Sequence, residues 1–124
     1  MAMVSTAEHP SMVLIARKDL KMSAGKLAVQ CSHAAVTCTV NARKSHARLV
    51  ERWMSGGARK ICLRADDLGT LQRLAGQAQS AGLVTTLVKD AGHTEVPPGT
   101  LTVLGIGPAP RRALDALVSD LKPY

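Results

Sequence analysis

Short apolar runs alternate along this chain with longer segments of helical periodicity, and this alternation limits the fold more than any other feature. The apolar runs lie at residues 12–16, 60–65, 84–88 and 101–106, and each has the length of a β-strand. Together with the helical segments, they predict the order β, α, α, β, α, β, β, α. We therefore predict an α/β fold: a single domain whose four-stranded mixed, mainly parallel sheet has helices on both faces.

The length of 124 residues suits one domain with one buried core. Residues 1–11 lack periodicity, which predicts a loose N-terminal arm before a domain at residues 12–124. No apolar run approaches the roughly 20 residues of a membrane-spanning helix, and the first ten residues do not resemble a secretory signal. The three cysteines are odd in number and lie in apolar segments, which favours reduced thiols. We expect a cytoplasmic protein without a membrane partner.

The formal charge of +7 is unevenly distributed along the chain. Residues 17–64 contain eleven Lys or Arg and two acidic residues, so this segment carries +9 and the rest of the chain −2. Such a distribution favours a polyanionic partner. Trp53 and Tyr124 are the only aromatic residues, which leaves no platform for stacking unpaired bases and favours recognition of a folded nucleic acid by its backbone or shape. A solvated basic surface is the alternative interpretation.

The segment after the first strand predicts a helix with a single polar stripe. Ser23 can start this helix as its N-cap. At 3.6 residues per turn, one face carries Lys26, Gln30, His33 and Thr37. The other positions are small or apolar, so we expect the helix to be buried nearly all round. Because unpaired polar groups are costly inside a protein, the stripe either has internal partners or faces a cleft.

Lys26 is unusually placed, because the positive end of the helix dipole disfavours an ammonium group in the first turn. Lys26 follows the first predicted strand and Asp90 follows the third, so the two strand ends could bring them to one edge of the sheet. A Lys/Asp pair beside a cleft can position water or stabilise negative charge during acyl transfer. A structural salt bridge, a solvated lysine and a turn formed by Asp90 with Gly92 remain alternatives.

Other kinds of site have weaker support. His33 on a buried helix is more often a hydrogen-bonded core histidine than a base or a ligand. A dyad of Cys31 with His33 is rejected, because residues two apart on a helix point about 160° apart. No cysteine or histidine pair has the spacing of a zinc site, and Gly105 and Gly107 precede a proline rather than a phosphate-binding helix. We therefore predict no metal and no cofactor.

Four motifs occur in an order that resembles one enzyme family. They are residues 12–22, Gly25-Lys26 with residues 30–35, Asp90-Ala91-Gly92 with Thr94, and residues 98–108. From about residue 12 to residue 122 the chain resembles the class II peptidyl-tRNA hydrolases. The resemblance implies an α/β sandwich, commonly dimeric, without metal or cofactor. It also implies hydrolysis of the ester between a peptide and the 3′-terminal ribose of tRNA, which recycles tRNA from prematurely released peptidyl-tRNA.

The resemblance also implies roles for individual residues. Lys26 and Asp90 match the family's main catalytic pair, and His33 and Thr94 are further predicted catalytic residues. Lysine is normally charged at neutral pH and cannot then accept a proton, so we expect Lys26 to stabilise negative charge. The predicted substrate-binding residues are Gln30 and Thr102, implied by the family, and the basic residues Lys21, Arg43, Lys44 and Arg48, expected to contact tRNA phosphates.

Three positions depart from the family pattern: His93, Ala24 and Pro97. The first two remove fixed positive charge near the predicted site, so tRNA affinity or pH dependence can differ. Two alternatives to an enzyme remain open. One is a non-catalytic RNA-binding module that uses the same basic face, and the other is a protein-interaction domain without RNA contact.

Overall fold

The structure is a computed structural model that describes residues 9–92 and 95–124. Its helices and strands follow the predicted order. They are β1 (Pro10–Arg17), α1 (Ala24–Ser45), α2 (Ala47–Ser55), β2 (Lys60–Ala65), α3 (Leu68–Ser80), β3 (Thr85–Lys89), β4 (Leu101–Pro110) and α4 (Arg111–Val118). Residues 10 and 11 of the predicted arm therefore lie in β1, whereas residues 1–8 lie outside the described residues. Within the described part, no helix is long and apolar enough to cross a membrane.

The four strands form one sheet in the order β2-β1-β4-β3. Strand β1 is parallel to β2, whereas β4 is antiparallel to both β1 and β3. The predicted four-stranded mixed sheet is confirmed, but "mainly parallel" needs correction because two of its three strand pairs are antiparallel. In the described part of residues 90–100, no helix separates β3 from β4, and this connection returns the chain antiparallel. Strands β1 and β3 still run in the same direction, because each is antiparallel to β4. The C-terminal ends of β1 and β3 therefore reach the same edge of the sheet.

Helices cover both faces of the sheet, as predicted. Side chains alternate along β1, so Met12 and Leu14 contribute to the apolar cluster under α1 and α2, and Val13 and Ile15 to the cluster under α3 and α4. Burial of β1 on both faces explains its continuous apolar sequence. The apolar core is thus divided by the sheet into two layers.

Helix α1 is buried along one stripe only, and the expectation that it is buried nearly all round is wrong. The buried positions are Gln30, Ala34, Cys38 and Ala42, which recur every four residues and face the sheet. Val36 is 63% exposed on another side of the helix. The prediction failed because α1 lies on the outside of the only sheet in the described part of the chain. Its many small apolar residues therefore have no second layer to cover them.

The approach of α1 to the sheet is close because β4 carries a glycine beneath it. A Cβ atom added at Gly105 would lie 2.9 Å from Cys38 Sγ and 3.2 Å from Ala34 Cβ. A larger residue at this position would push the helix outward. The contact therefore sets the height of α1, and of the residues on its first turns, above the sheet.

Candidate active site

The ends of β1 and β3 bring Lys26 and Asp90 together. Lys26 lies in the first turn of α1, which follows β1, and Asp90 comes directly after β3. Lys26 Nζ lies 2.5 Å from Asp90 Oδ2, and the exposed fractions of the two side chains are 9% and 0%. The expected meeting of the two connections at one edge of the sheet is thus observed. The carboxylate compensates the unfavourable position of the ammonium near the positive end of the α1 dipole.

The backbone around Asp90 holds the carboxylate in a fixed position. Its Oδ1 accepts a hydrogen bond of 2.6 Å from the Gly92 N–H. Gly92 has a φ of 102°, and a Cβ there would lie 2.8 Å from Pro98 Cγ, so only glycine fits this turn. The Asp90 N–H donates to the Thr100 carbonyl and its own carbonyl accepts from the Gly99 N–H, each at 2.9 Å. The turn and the ion pair, which the sequence left as alternatives, coexist.

Gln30 and Thr102 contact each other one turn beyond Lys26. Gln30 Nε2 donates to Thr102 Oγ1 at 2.7 Å, and this hydroxyl in turn donates to the Val88 carbonyl at 3.3 Å. Gln30 is 2% exposed and Thr102 is 0% exposed. In this structure the two predicted substrate-binding residues therefore tie α1 to β4 about one helical turn after Lys26.

The predicted polar stripe of α1 divides between the interior and the surface. Lys26 and Gln30 face inward, whereas His33 and Thr37 are exposed. His33 is therefore not a core histidine, and it lies about 10 Å along the helix axis from Lys26. Thr94, another predicted catalytic residue, lies outside the described residues, as does His93.

The predicted phosphate-binding residues lie at two separate places. Lys21 is exposed in the connection between β1 and α1, close in sequence to the Lys26–Asp90 pair. The others form what we call the distal basic cluster, defined as Arg43, Lys44 and Arg48. All three are exposed around the junction of α1 and α2. Arg43 lies 17 residues after Lys26 along α1, a distance of about 26 Å at 1.5 Å per residue.

A further residue at this edge, Glu95, was missed from the sequence. Its Oε1 accepts a hydrogen bond of 2.8 Å from the Ser23 N–H, and its Oε2 accepts one of 2.5 Å from Ser23 Oγ. The Ser23 side-chain and backbone hydrogen bonds, and secondarily the charge of Lys26, lower the pKa of Glu95 below its usual value. The first turn of α1 contains no acidic residue, and this absence is the sequence signal that could have led to Glu95.

The three cysteines belong to the apolar cluster between α1 and the sheet. Cys31 Sγ lies 3.9 Å from Cys62 Sγ, on the side of α1 that packs against the sheet. Hydrogen bonding to Cys62, and then burial, raise the pKa of Cys31, which keeps it protonated. The same hydrogen bond lowers the pKa of Cys62. Among the described residues no group of three or more His, Cys, Asp or Glu side chains could hold a metal ion.

Comparison with known proteins assigns the family. A sequence profile described as "Peptidyl-tRNA hydrolase PTH2" matches residues 10–124. The chain belongs to this family. "Peptidyl-tRNA hydrolase" of Thermococcus onnurineus is 41% identical over 110 residues, which cover 89% of this chain and 93% of that protein. The corresponding figures for "Peptidyl-tRNA hydrolase" of Thermoplasma acidophilum are 40% over 111 residues, with 90% and 95% covered.

The human relative is longer than this chain. "Peptidyl-tRNA hydrolase 2, mitochondrial" of Homo sapiens is 42% identical over 113 residues, which cover 91% of this chain but 63% of the human protein. The chain thus spans nearly the whole of these archaeal relatives and less than two thirds of the human one. The family resemblance stated from the sequence motifs is confirmed, and with it the prediction of an enzyme of the peptidyl-tRNA hydrolase type.

Proposed function

We propose that this protein hydrolyses the ester between a peptide and the 3′-terminal ribose of tRNA, with Lys26 and Asp90 as its catalytic pair. The observation that carries the proposal is the buried ion pair at the edge of the sheet, 2.5 Å between Nζ and Oδ2. It occurs in a chain of the PTH2 family, whose relatives are named for this activity. Recycling of tRNA from prematurely released peptidyl-tRNA is the corresponding biological role.

The proposed chemistry needs stabilisation of negative charge. A water oxygen attacks the ester carbonyl carbon, and the carbonyl oxygen becomes negatively charged in the tetrahedral intermediate. The Lys26 ammonium stabilises this oxygen, and Asp90 holds the ammonium in position. When the bond to the ribose oxygen breaks, that oxygen takes up a proton derived from the water, leaving a free peptide and a free tRNA. Because the pair is nearly inaccessible to solvent, water screens its field weakly.

Hydrolysis assays with Lys26→Ala and Asp90→Ala test this mechanism. Each substitution should lower kcat at least a hundredfold, as expected for loss of a group that stabilises an oxyanion. Lys122→Ala, which removes an exposed lysine, is the matched control and should keep wild-type activity. Circular dichroism checks that each variant is folded.

Two outcomes of these assays would contradict the mechanism. Wild-type turnover in both folded variants would leave Lys26 and Asp90 as a structural pair only. Tight tRNA binding by a wild-type protein that cleaves no ester would favour the non-catalytic RNA-binding module. His33 and Thr94 remain proposed catalytic residues, and their alanine variants belong in the same assay.

The distal basic cluster and Lys21 are proposed to contact tRNA phosphates. The segment at residues 17–64 carries a formal charge of +9, which supports attraction of a polyanion. The separation of about 26 Å between Arg43 and Lys26 suits a substrate that extends well beyond its reacting end. Gln30 and Thr102 remain proposed substrate-binding residues, and in this structure their side chains hydrogen-bond to each other.

A homodimer is proposed on the basis of the exposed apolar side of α1. Val29, Val36 and Val40 lie on one side of this helix, and each is more than half exposed. Val36→Glu should convert a dimer to a monomer, measured by light scattering after gel filtration. Gln77→Glu on α3, far from this stripe, is the matched control. A wild-type protein that is monomeric at micromolar concentration would refute the dimer.

The proposed location is the cytoplasm. All three cysteines are free thiols, which suits a reducing compartment. The human relative is named as mitochondrial. Imaging of the tagged protein together with cytoplasmic and organelle markers distinguishes the two locations.

A further inference from the structure

The first turn of α1 lacks the acidic residue that usually completes a helix N-terminus of its kind. In a capping box, the N-cap serine accepts a hydrogen bond from the third helical residue, whose Glu or Gln side chain accepts one from the serine N–H. In α1 the N-cap is Ser23, and its Oγ accepts from the Lys26 N–H at 3.2 Å. The third helical position is occupied by Lys26, whose ammonium cannot accept a hydrogen bond. Half of the capping box is therefore missing from α1 itself.

Glu95 supplies the missing half from a different part of the chain. Its carboxylate accepts from both the N–H and the hydroxyl of Ser23, at 2.8 Å and 2.5 Å. Residue 95 belongs to the connection between β3 and β4, which also carries Asp90. Two carboxylates from one connection thus bind the first turn of α1: Asp90 binds the side chain of Lys26, and Glu95 binds the N-cap three residues earlier.

We propose that Glu95 is a positioning residue of the catalytic pair, acting by fixing the β3–β4 connection to the start of α1. This inference rests on the proposed function. Asp90 lies in the β3–β4 connection and Lys26 in the first turn of α1, so their relative position depends on the contacts that join these two segments. The Ser23–Glu95 hydrogen bonds are such a junction, and they lie within one helical turn of Lys26. A negative charge at the positive end of α1 is also electrostatically favourable.

A capping role limited to stability is the competing interpretation, and steady-state kinetics separate the two. Glu95→Ala removes both hydrogen bonds, and we expect kcat to fall on the order of tenfold with KM changed less than twofold, because misplaced catalytic groups slow the chemical step. Glu95→Gln keeps an oxygen for the Ser23 N–H and should recover kcat to within about threefold of wild type. Glu51→Ala, at an exposed glutamate on α2, is the matched control and should keep the wild-type kcat.

Ser23→Ala provides a second route to the same measurement. It removes the hydroxyl that binds Glu95 and keeps the backbone N–H, so it should lower kcat less than Glu95→Ala. In the Ser23→Ala/Glu95→Ala double variant, the fall in kcat should not exceed the product of the two single effects. Its kcat should lie close to that of Glu95→Ala alone, because the two residues act as one unit.

The kinetic outcomes distinguish failure of this inference from failure of the proposed function. If folded Glu95→Ala keeps kcat within twofold while its thermal midpoint falls, Glu95 is a structural cap and the inference is overturned. If Glu95→Ala does not fold, an unchanged kcat in Ser23→Ala, which removes the hydroxyl that binds Glu95, overturns it equally. A wild-type protein that cleaves no peptidyl-tRNA would overturn the proposed function and this inference together.

Discussion

Asp90→Asn isolates the charge of the proposed catalytic pair from its shape. The substituted side chain keeps an oxygen for the Gly92 N–H, so the turn survives, but an amide cannot neutralise the ammonium of Lys26. Only 9% of the Lys26 side chain is exposed, so its charge cannot regain full hydration without movement of the helix start. The variant therefore leaves a buried charge without its counter-ion.

The structure sets the expected loss of stability. Removing one partner of a buried ion pair costs about 3–5 kcal/mol. We expect a value of about 3 kcal/mol, at the lower end of this range, because 9% of the Lys26 side chain is already exposed. At about 3–5 °C per kcal/mol for a domain of this size, the thermal midpoint should fall by about 9–15 °C. The double variant Lys26→Met/Asp90→Asn removes both charges and should lie within about 1 kcal/mol of wild type.

Urea denaturation at pH 7, followed by circular dichroism, measures these differences. The control is Asp115→Asn, which breaks the ion pair between Arg111 and Asp115 on α4. That pair is 3.8 Å long with side chains 42% and 58% exposed, so its loss should change stability by less than about 0.5 kcal/mol. A loss below about 1 kcal/mol for Asp90→Asn, or a double variant as unstable as the single one, would refute the reasoning from burial.

Three other parts of the structure lead to predictions of their own. Gly105→Ala should destabilise the protein by about 1–3 kcal/mol in urea, because its Cβ would lie 2.9 Å from a side chain of α1. Gly76→Ala, on α3 with open space around it, should be neutral or stabilising. A Gly76→Ala variant less stable than Gly105→Ala would contradict the close approach of α1 to the sheet. Asp67 caps α3, and its hydrogen bonds to Thr70 lower its pKa. Its stabilisation is therefore complete above the unfolded pKa of about 3.8 and is lost as pH falls through the lower folded pKa, so the urea midpoints of wild type and Asp67→Ala should converge at low pH. Alanine substitution of the distal basic cluster should reduce the salt dependence of tRNA binding by about 0.9 in log–log slope for each phosphate that the variant no longer neutralises, and an unchanged slope would place the tRNA elsewhere.

The predictions from sequence succeeded where local pattern and physical chemistry suffice. Apolar runs and helical spacing predicted, in order, the eight elements found in residues 9–92 and 95–124, because the spacing of apolar residues shows which side of each element is buried. The position of Lys26 in a first turn indicated a carboxylate partner, and the strand ends indicated Asp90. The electrostatic field at a helix end depends on nearby residues only, so the need of Lys26 for a carboxylate partner can be predicted from the sequence.

The predictions failed for contacts between distant segments of the chain. The burial of α1 was overestimated, because alanines and valines on a helix do not reveal how many layers will cover it. The direction of β4 was not anticipated, since it depends on which neighbours the strand pairs with. Glu95 was missed because its partner, Ser23, is 72 residues away along the chain.

By itself, the sequence determined the strands and helices, the basic N-terminal half, the family and the choice of Lys26 and Asp90 as the proposed catalytic pair. The tertiary structure alone decided that β4 lies between β1 and β3, that His33 is exposed while Gln30 is buried, and that Glu95 completes the cap of α1. The physical reason is one of range. Periodicity, capping and charge act within a few residues, whereas strand order, burial and hydrogen bonding between connections depend on how distant segments share one core.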